Sequence, residues 1–248
     1  MQHSLTATAR PAVKLRLPEL NAPIGQRNYV PGAKPEFLSP ATYRPLAPQR
    51  DGNLRSSVMS FLNMHLYGEL LVSLLRARKR TFIDHLGWNL NQTEGMEFDQ
   101  YDTPLCRWVV VHEFGEVLGG IRLMPTTARN GIYSYMLRDA QRGLLEGIPT
   151  DVLFFEAPVS ATTWEASRLF ISEDVPAQRR LHVQSMLMTQ LSKVAQDMGA
   201  SHVIGIVPAV WSRWLRRLDL DAVPVGPKFA VDRLISQAAL FNTARHPN

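Results

Sequence analysis

The stretch RWVVVHEFGEVLGGIRLMPT, residues 107–126, decides the fold. Two apolar runs flank Gly115, which reads as a β-hairpin turning at the glycine. Both runs are nearly continuous in Val, Ile, Leu and Met rather than strictly alternating, so both are expected to be central strands covered on two faces. Arg122 sits inside the second run. A guanidinium there is very costly unless a carboxylate is paired with it, so the strand implies a partner acid elsewhere in the chain.

Working outward, Phe61, Leu62, Leu66, Leu70, Leu71, Leu74 and Leu75 recur at spacings of three and four, which predicts one or two amphipathic helices over residues 57–81. Arg76, Arg78, Lys79 and Arg80 close that segment at the negative end of the helix dipole. Residues 89–104 read as an irregular loop. After the hairpin, residues 127–150 hold Gly131, Gly143, Gly147 and Pro149 and read mostly as loop, with a short helix near 135–145. TTWEASRLFI (162–171) is a third strand. Residues 176–198 form the best helix of the chain, with Leu187, Leu191, Val194 and Met198 on one face and Gly199 as its stop. HVIGIVP (202–208) is a short buried strand, and 210–218 is a basic helix. A hairpin, a strand, a long helix, a strand and a helix make an α/β protein: a single three-layer sandwich around a mixed, mostly antiparallel sheet.

Charge and proline divide the chain. Residues 1–55 hold eight of the seventeen prolines and eight basic residues against Glu19, Glu36 and Asp51, so they are expected to be a disordered basic extension. Residues 56–248, the expected catalytic domain, carry nineteen residues of each sign. The folded part is neutral, which argues against nucleic-acid binding despite the overall charge of +5. No apolar run approaches a membrane span, and the start lacks the apolar core of a signal peptide. The single cysteine, Cys106, rules out an internal disulfide, fits a reducing cytoplasm, and reads as a small buried hydrophobe.

The segment WNLNQTEGMEFDQYD (88–102) is too polar for a core and too aromatic for a linker. Together with RARKRTF before it, GGIRLMPTT (119–127) and TTWEASRLF (162–170), it predicts one polar cluster of Arg78, Asp99, Asp102, Arg122, Glu165 and Arg168. Alternation places Glu165 and Ser167 on one face of their strand and Arg168 on the other, so all can join only if a β-bulge lies between Trp164 and Arg168. No His or Cys stands at ligand spacing beside Asp99 and Asp102, so no metal is expected.

Four blocks carry a resemblance: R-x-x-x-F-x-x-x-x-x-W (78–88), E-x-D-x-Y-D (97–102), G-G-x-R-L-x-P-T-T (119–127) and W-E-x-S-R (164–168). In this order and spacing they resemble the acyl-homoserine-lactone synthases, the bacterial autoinducer synthases, over residues 59–231. The resemblance implies a fold similar to the acetyltransferases. It also implies a reaction in which S-adenosylmethionine, as substrate rather than cofactor, is acylated on its amine by an acyl thioester and then closes to a lactone. The product is a quorum-sensing signal, and methylthioadenosine is released. Where acetyltransferases carry a glycine-rich pyrophosphate turn before the long helix, this chain has PAQRRLHV, which counts against ordinary acetyl-CoA chemistry.

Every part of that substrate has an expected host. Its carboxylate suits Arg78 or Arg122, through bidentate hydrogen bonds. Its sulfonium and adenine suit Phe82 and Trp88. Glu165 is the expected general base for the amine, with Arg78, Asp99, Asp102, Arg122 and Arg168 completing the catalytic group. The acyl thioester is expected between the 163–171 and 202–208 strands, its donor acyl carrier protein or coenzyme A. Arg179, Arg180, Arg213, Arg216 and Arg217 are the candidate docking patch for an acidic carrier. Two other readings compete: an acyltransferase of the same fold acting on another amine, and a catalytically dead binding module. The first has no use for the 78–88 and 97–102 blocks together; the second should have lost Arg78, Arg122 or Glu165, and all three are present.

Overall fold

The computed structural model describes residues 50–209, 222–231 and 234–243, all within one compact unit. Its centre is the expected hairpin, β5 (Arg107–Glu113) and β6 (Glu116–Pro125). Phe114 and Gly115 both have positive φ, 51° and 90°, the mirror-image turn whose twist matches that of the flanking strands. Outward from the hairpin on one side lie β2 (Leu54–Met59) and β1 (Arg50–Asp51). On the other lie β7 (Thr163–Ile171), β8 (His202–Pro208), β10 (Leu234–Asn242) and the edge strand β9 (Ala222–Val231). All pairings in this eight-stranded sheet are antiparallel except β7 with β8.

Helices cover both faces, giving the expected three layers. α3 (Ala177–Asp197) packs Val183, Leu187, Leu191 and Val194 against Val109, Val111, Ile121 and Leu123 on one face. On the other face, α1 (Leu70–Arg78) and α2 (Met136–Gln141) pack Leu74, Ala77 and Leu137 with Val110, Met124 and Phe170. α1 continues without a break into a π-helical turn, Lys79–His85.

Several expectations need correcting. The segment 57–81 is not one helical stretch. It begins with the end of β2, passes through a 3-10 turn at Met64–Leu66, and becomes α-helical only at Leu70. A boundary after residue 55 therefore cuts a sheet strand, whose Leu54 is buried. The loop 89–104 contains a miniature hairpin, β3 (Gln92–Thr93) and β4 (Met96–Glu97), turning at Glu94 and Gly95, both with positive φ. The helix expected at 210–218 lies outside the described residues.

β7 carries the feature that shapes the site. Against β6 its register is regular from Trp164 to Ser167 and then slips, so that Arg168 and Leu169 together oppose Ile121. The bulge thus exists but begins at Arg168 instead of before it. Arg168 has φ of 55°, a left-handed conformation normally left to glycine at such bulges. On its other side, β7 pairs with β8 only from Thr163 to Ala166; beyond that point the two strands part.

Candidate active site

Two buried arginines, Arg78 and Arg122, and the half-buried Arg168 meet three carboxylates on the α1 side of the sheet. Arg78 leaves the last turn of α1 and donates its Nε to Glu97 at 2.6 Å, and Nη1 and Nη2 to the two oxygens of Asp102 at 2.7 and 2.9 Å. Arg122 from β6 donates to both oxygens of Asp99 at 2.5 and 3.1 Å, and its Nε to Ser167 Oγ at 3.1 Å. Arg168, swung inward by the bulge, reaches Asp99 at 2.8 Å and Glu97 at 3.1 Å. Trp108 Nε1 and the backbone N–H of Asp99 complete Asp102, and the N–H of Tyr101 donates to Asp99.

Electrostatics follow from this pairing. Burial disfavours ionised Asp102, but the Arg122 and Arg78 guanidiniums outweigh it and hold the carboxyl well below the usual carboxylate range. Asp99 is likewise held down, by Arg122 and Arg168 against the effect of burial. Burial alone would lower the Arg122 pKa, and Asp99 and Asp102 raise it instead. Arg78, Arg122, Asp99 and Asp102 are therefore ionised at neutral pH. Among the described residues no three His, Cys, Asp or Glu side chains are grouped to hold a metal; each of these carboxylates is already occupied by guanidinium.

The composition of this cluster differs from expectation in one member. Glu165 is not in it, and Glu97 takes its place. The Glu165 side chain is buried beside the first turn of α2, where its oxygens accept the N–H groups of Met136 at 2.9 Å and Leu137 at 2.7 Å. Burial pushes its pKa up to about 7, against the opposing effect of those two donors and of Arg122. Glu97 stood in the same E-x-D-x-Y-D block, and the hairpin β3–β4 that aims it inward was legible only as the Glu94-Gly95 turn. The sequence also gave no hint of Asp139, which is buried and collects Tyr101 OH at 3.1 Å, the N–H and Oγ of Ser134 at 2.8 and 2.7 Å, and Arg142 at 3.2 Å. Tyr101 in turn lies under Arg122, 5.5 Å from the guanidinium carbon to the ring centre, so α2 is tied to the cluster.

Where β7 and β8 part, a cleft of about 540 Å³ opens beside this cluster. Phe82, Trp88, Met136, Ser167 and Arg168 line it, with Leu169, Ile171, Ile206 and Val207 from the parted strands. Phe82 and Trp88 stack, with ring centres 5.1 Å apart and planes at 18°, and the Arg168 guanidinium carbon lies 5.7 Å from the Phe82 ring centre. Phe82 is therefore covered, and the half-buried Trp88 is the ring left to meet a ligand. Arg78 and Arg122 are 1% exposed and turn their guanidiniums into carboxylates, away from the cleft, so neither is free to grip a substrate carboxylate. Their contribution is to position Asp99, Asp102, Ser167 and, through Glu97, Arg168.

The proposed carrier patch is reduced. Arg179 is engaged bidentately by Glu113 at 3.0 and 3.1 Å, and Arg180 donates to the carbonyls of Ser172, Glu173 and Val175. Arg213, Arg216 and Arg217 lie outside the described residues. Cys106 is fully buried, with its thiol pushed up to about 12 by burial, and is inert as the sequence suggests.

The sequence profile of the family described as Autoinducer synthase matches residues 64–246, most of the chain. The chain belongs to the autoinducer synthase family. Among curated autoinducer synthases, the acyl-homoserine-lactone synthase of Aeromonas salmonicida is 29% identical over 175 residues, covering 69% of this chain and 78% of that one. The acyl-homoserine-lactone synthase of Ralstonia solanacearum is 32% identical over 161 residues, 62% of this chain and 73% of that one. Among solved structures, TofI in a ternary complex with an inhibitor and MTA is 26% identical with a TM-score of 0.60, covering 76% of this chain and 91% of that one. This autoinducer synthase is accordingly an acyl-transferring enzyme of quorum-sensing signal synthesis. No helix among its described residues is long and apolar enough to cross a membrane.

Proposed function

We propose that the cleft between β7 and β8 joins S-adenosylmethionine to an acyl thioester and that Glu165 receives the proton lost by the amine. The observation that carries this reading is convergence: residues of all four sequence blocks line one cleft or form the ion-pair wall beside it. TofI, whose structure holds MTA, the nucleoside left when the lactone closes, supports the same substrate here.

In this reading the outer face of Trp88 takes the adenosine or sulfonium end of the substrate. The thioester lies between residues 167–171 and 206–208, whose facing main-chain groups have no partner strand across the gap. The α-ammonium loses a proton, its nitrogen attacks the thioester carbonyl, the C–N bond forms, and the C–S bond breaks to release the thiol. Glu165 is suited to take that proton, because a carboxylate near 7 is poised to accept one at neutral pH. It is fully buried on the N–H groups of Met136 and Leu137 and does not line the cleft, so transfer runs over a water. The substrate carboxylate then attacks its own γ-carbon, closing the ring and expelling neutral methylthioadenosine. Both substrates are made in the cytoplasm, where this reading places the enzyme. The donor is a coenzyme A ester or acyl carrier protein.

The test is to incubate the full chain with carboxyl-labelled S-adenosylmethionine and a mixed pool of acyl-coenzyme A and acyl carrier protein thioesters. Label should appear in an organic-extractable lactone, with methylthioadenosine in equal amount. Acylation of some other amine, with the label left in the aqueous phase, would favour the rival acyltransferase.

A further inference from the structure

The ion-pair cluster is electrically closed: Arg78, Arg122 and Arg168 are matched by Glu97, Asp99 and Asp102. Arg168 is therefore a neutralised neighbour of the cleft and not a free cation. One other ionisable side chain lines the cleft among the described residues, Glu146, and it has no ion pair or hydrogen bond there. It stands in the turn that follows α2, between Gly143 and Gly147, which have φ of 72° and 79°. That turn is held to the helix by the N–H of Gly143 on Ala140 O at 2.8 Å and of Leu144 on Asp139 O at 2.9 Å. Glu146, Gly147 and Ile148 enter the same cleft as Trp88, Asn89 and Leu90. Glu165, behind the wall, can add negative charge but no positive charge.

A cleft whose described lining offers a closed ion-pair wall, an available aromatic face and a single uncommitted carboxylate selects for cations. Accepting the substrate proposed above, we infer that Glu146 is a specificity residue which recognises the positive charge of S-adenosylmethionine and sets the side of the cleft where its methionyl end lies. S-adenosylmethionine carries a sulfonium and an ammonium against one carboxylate, a net positive charge. Methylthioadenosine keeps the adenosine and loses every charge. The same carboxylate repels the phosphates of a coenzyme A donor, which confines them to the other end of the cleft.

The pair of ligands separates charge recognition from adenosine recognition. Titration calorimetry on the full chain should show wild type binding both S-adenosylmethionine and methylthioadenosine. Glu146→Gln should weaken S-adenosylmethionine about fivefold, the scale of a partly exposed ion pair, while methylthioadenosine binding stays within twofold and serves as the check on folding. The difference should shrink as salt is raised. Glu146→Asp should restore part of it. Equal weakening of both ligands, or no change in either, overturns the role of Glu146 and leaves the proposed reaction standing. Failure of the wild-type chain to bind S-adenosylmethionine overturns the substrate assignment itself, and this inference with it.

Discussion

At the scale of single residues, the arginines in apolar runs were the legible part. Arg122 and Arg168 stood in strand-like sequence and Arg78 closed a helix, so each demanded an acid, and the acids nearby were few. Which acid answered was not legible. Glu165 and Glu97 are equally plausible on paper, and only the β3–β4 turn and the start of α2 send one to the cluster and the other to backbone N–H groups. Removing one partner of a buried pair leaves the other uncompensated, which costs more than the pair contributes. Arg78→Ala strips Asp102 of a bidentate donor and Glu97 of its shorter contact. We expect it to lose about 3–5 kcal/mol of stability, read as a fall in the urea midpoint. Arg168, at 10% side-chain exposure and with its backbone in the left-handed region, should lose less stability on the same change and more activity. Equal stability losses at both sites would mean that the cluster is not graded by burial as described.

At the scale of elements, periodicity found the strands and helices buried on a regular face. The β5–β6 hairpin, β7, α3 and β8 all lie within a few residues of their expected bounds. It failed where two elements abut. LRSSVM, residues 54–59, is too short and too rich in serine to stand out, and the apolar residues after it share a helical spacing with α1, so the strand was absorbed into a helix. β9 escaped for a different reason: Pro224 and Pro227 argue against a strand, and are tolerated because β9 is the sheet edge and pairs on one side only. The missed strand has a measurable consequence. A chain that begins at Ser56 lacks Leu54, 2% exposed, and the whole of the β1–β2 ladder. It should lose about 2–3 kcal/mol from the buried leucine alone, whereas a chain that begins at Pro45 should match full length in thermal denaturation. Equal melting of all three would mean that β2 contributes nothing to the sheet.

At the scale of the whole molecule, buried ionisable groups pull stability in opposite directions with pH. Asp99 and Asp102 are depressed on folding, so the stability they provide is present above the ordinary carboxylate range and is lost only in strong acid. Glu165 is raised from 4.5 to about 7, so it binds a proton more tightly folded than unfolded. The sign is reversed: its ionisation costs stability as pH rises from 4.5 through 7, by about 3 kcal/mol at the upper end. These groups together predict a urea midpoint that is higher at pH 5 than at pH 8. Glu165→Gln should flatten that slope. At pH 5 it should also lower stability by about 1–3 kcal/mol, since two N–H donors face a side chain with one acceptor, so that the variant and wild type draw together toward pH 8. The neutral fold, the three layers and every cluster member but Glu97 were thus readable from sequence, but the raised carboxylate was not, because the burial of Glu165 depends on the first turn of α2 packing onto it. That carboxylate is also the centre of the proposed chemistry, and the pH dependence of the turnover number tests it most directly. In wild type, kcat should rise with pH through an apparent pKa near 7, as Glu165 becomes able to accept the proton. In Glu165→Gln it should fall by roughly 10²–10⁴ and lose that limb; a variant that keeps both the rate and the limb would contradict the account.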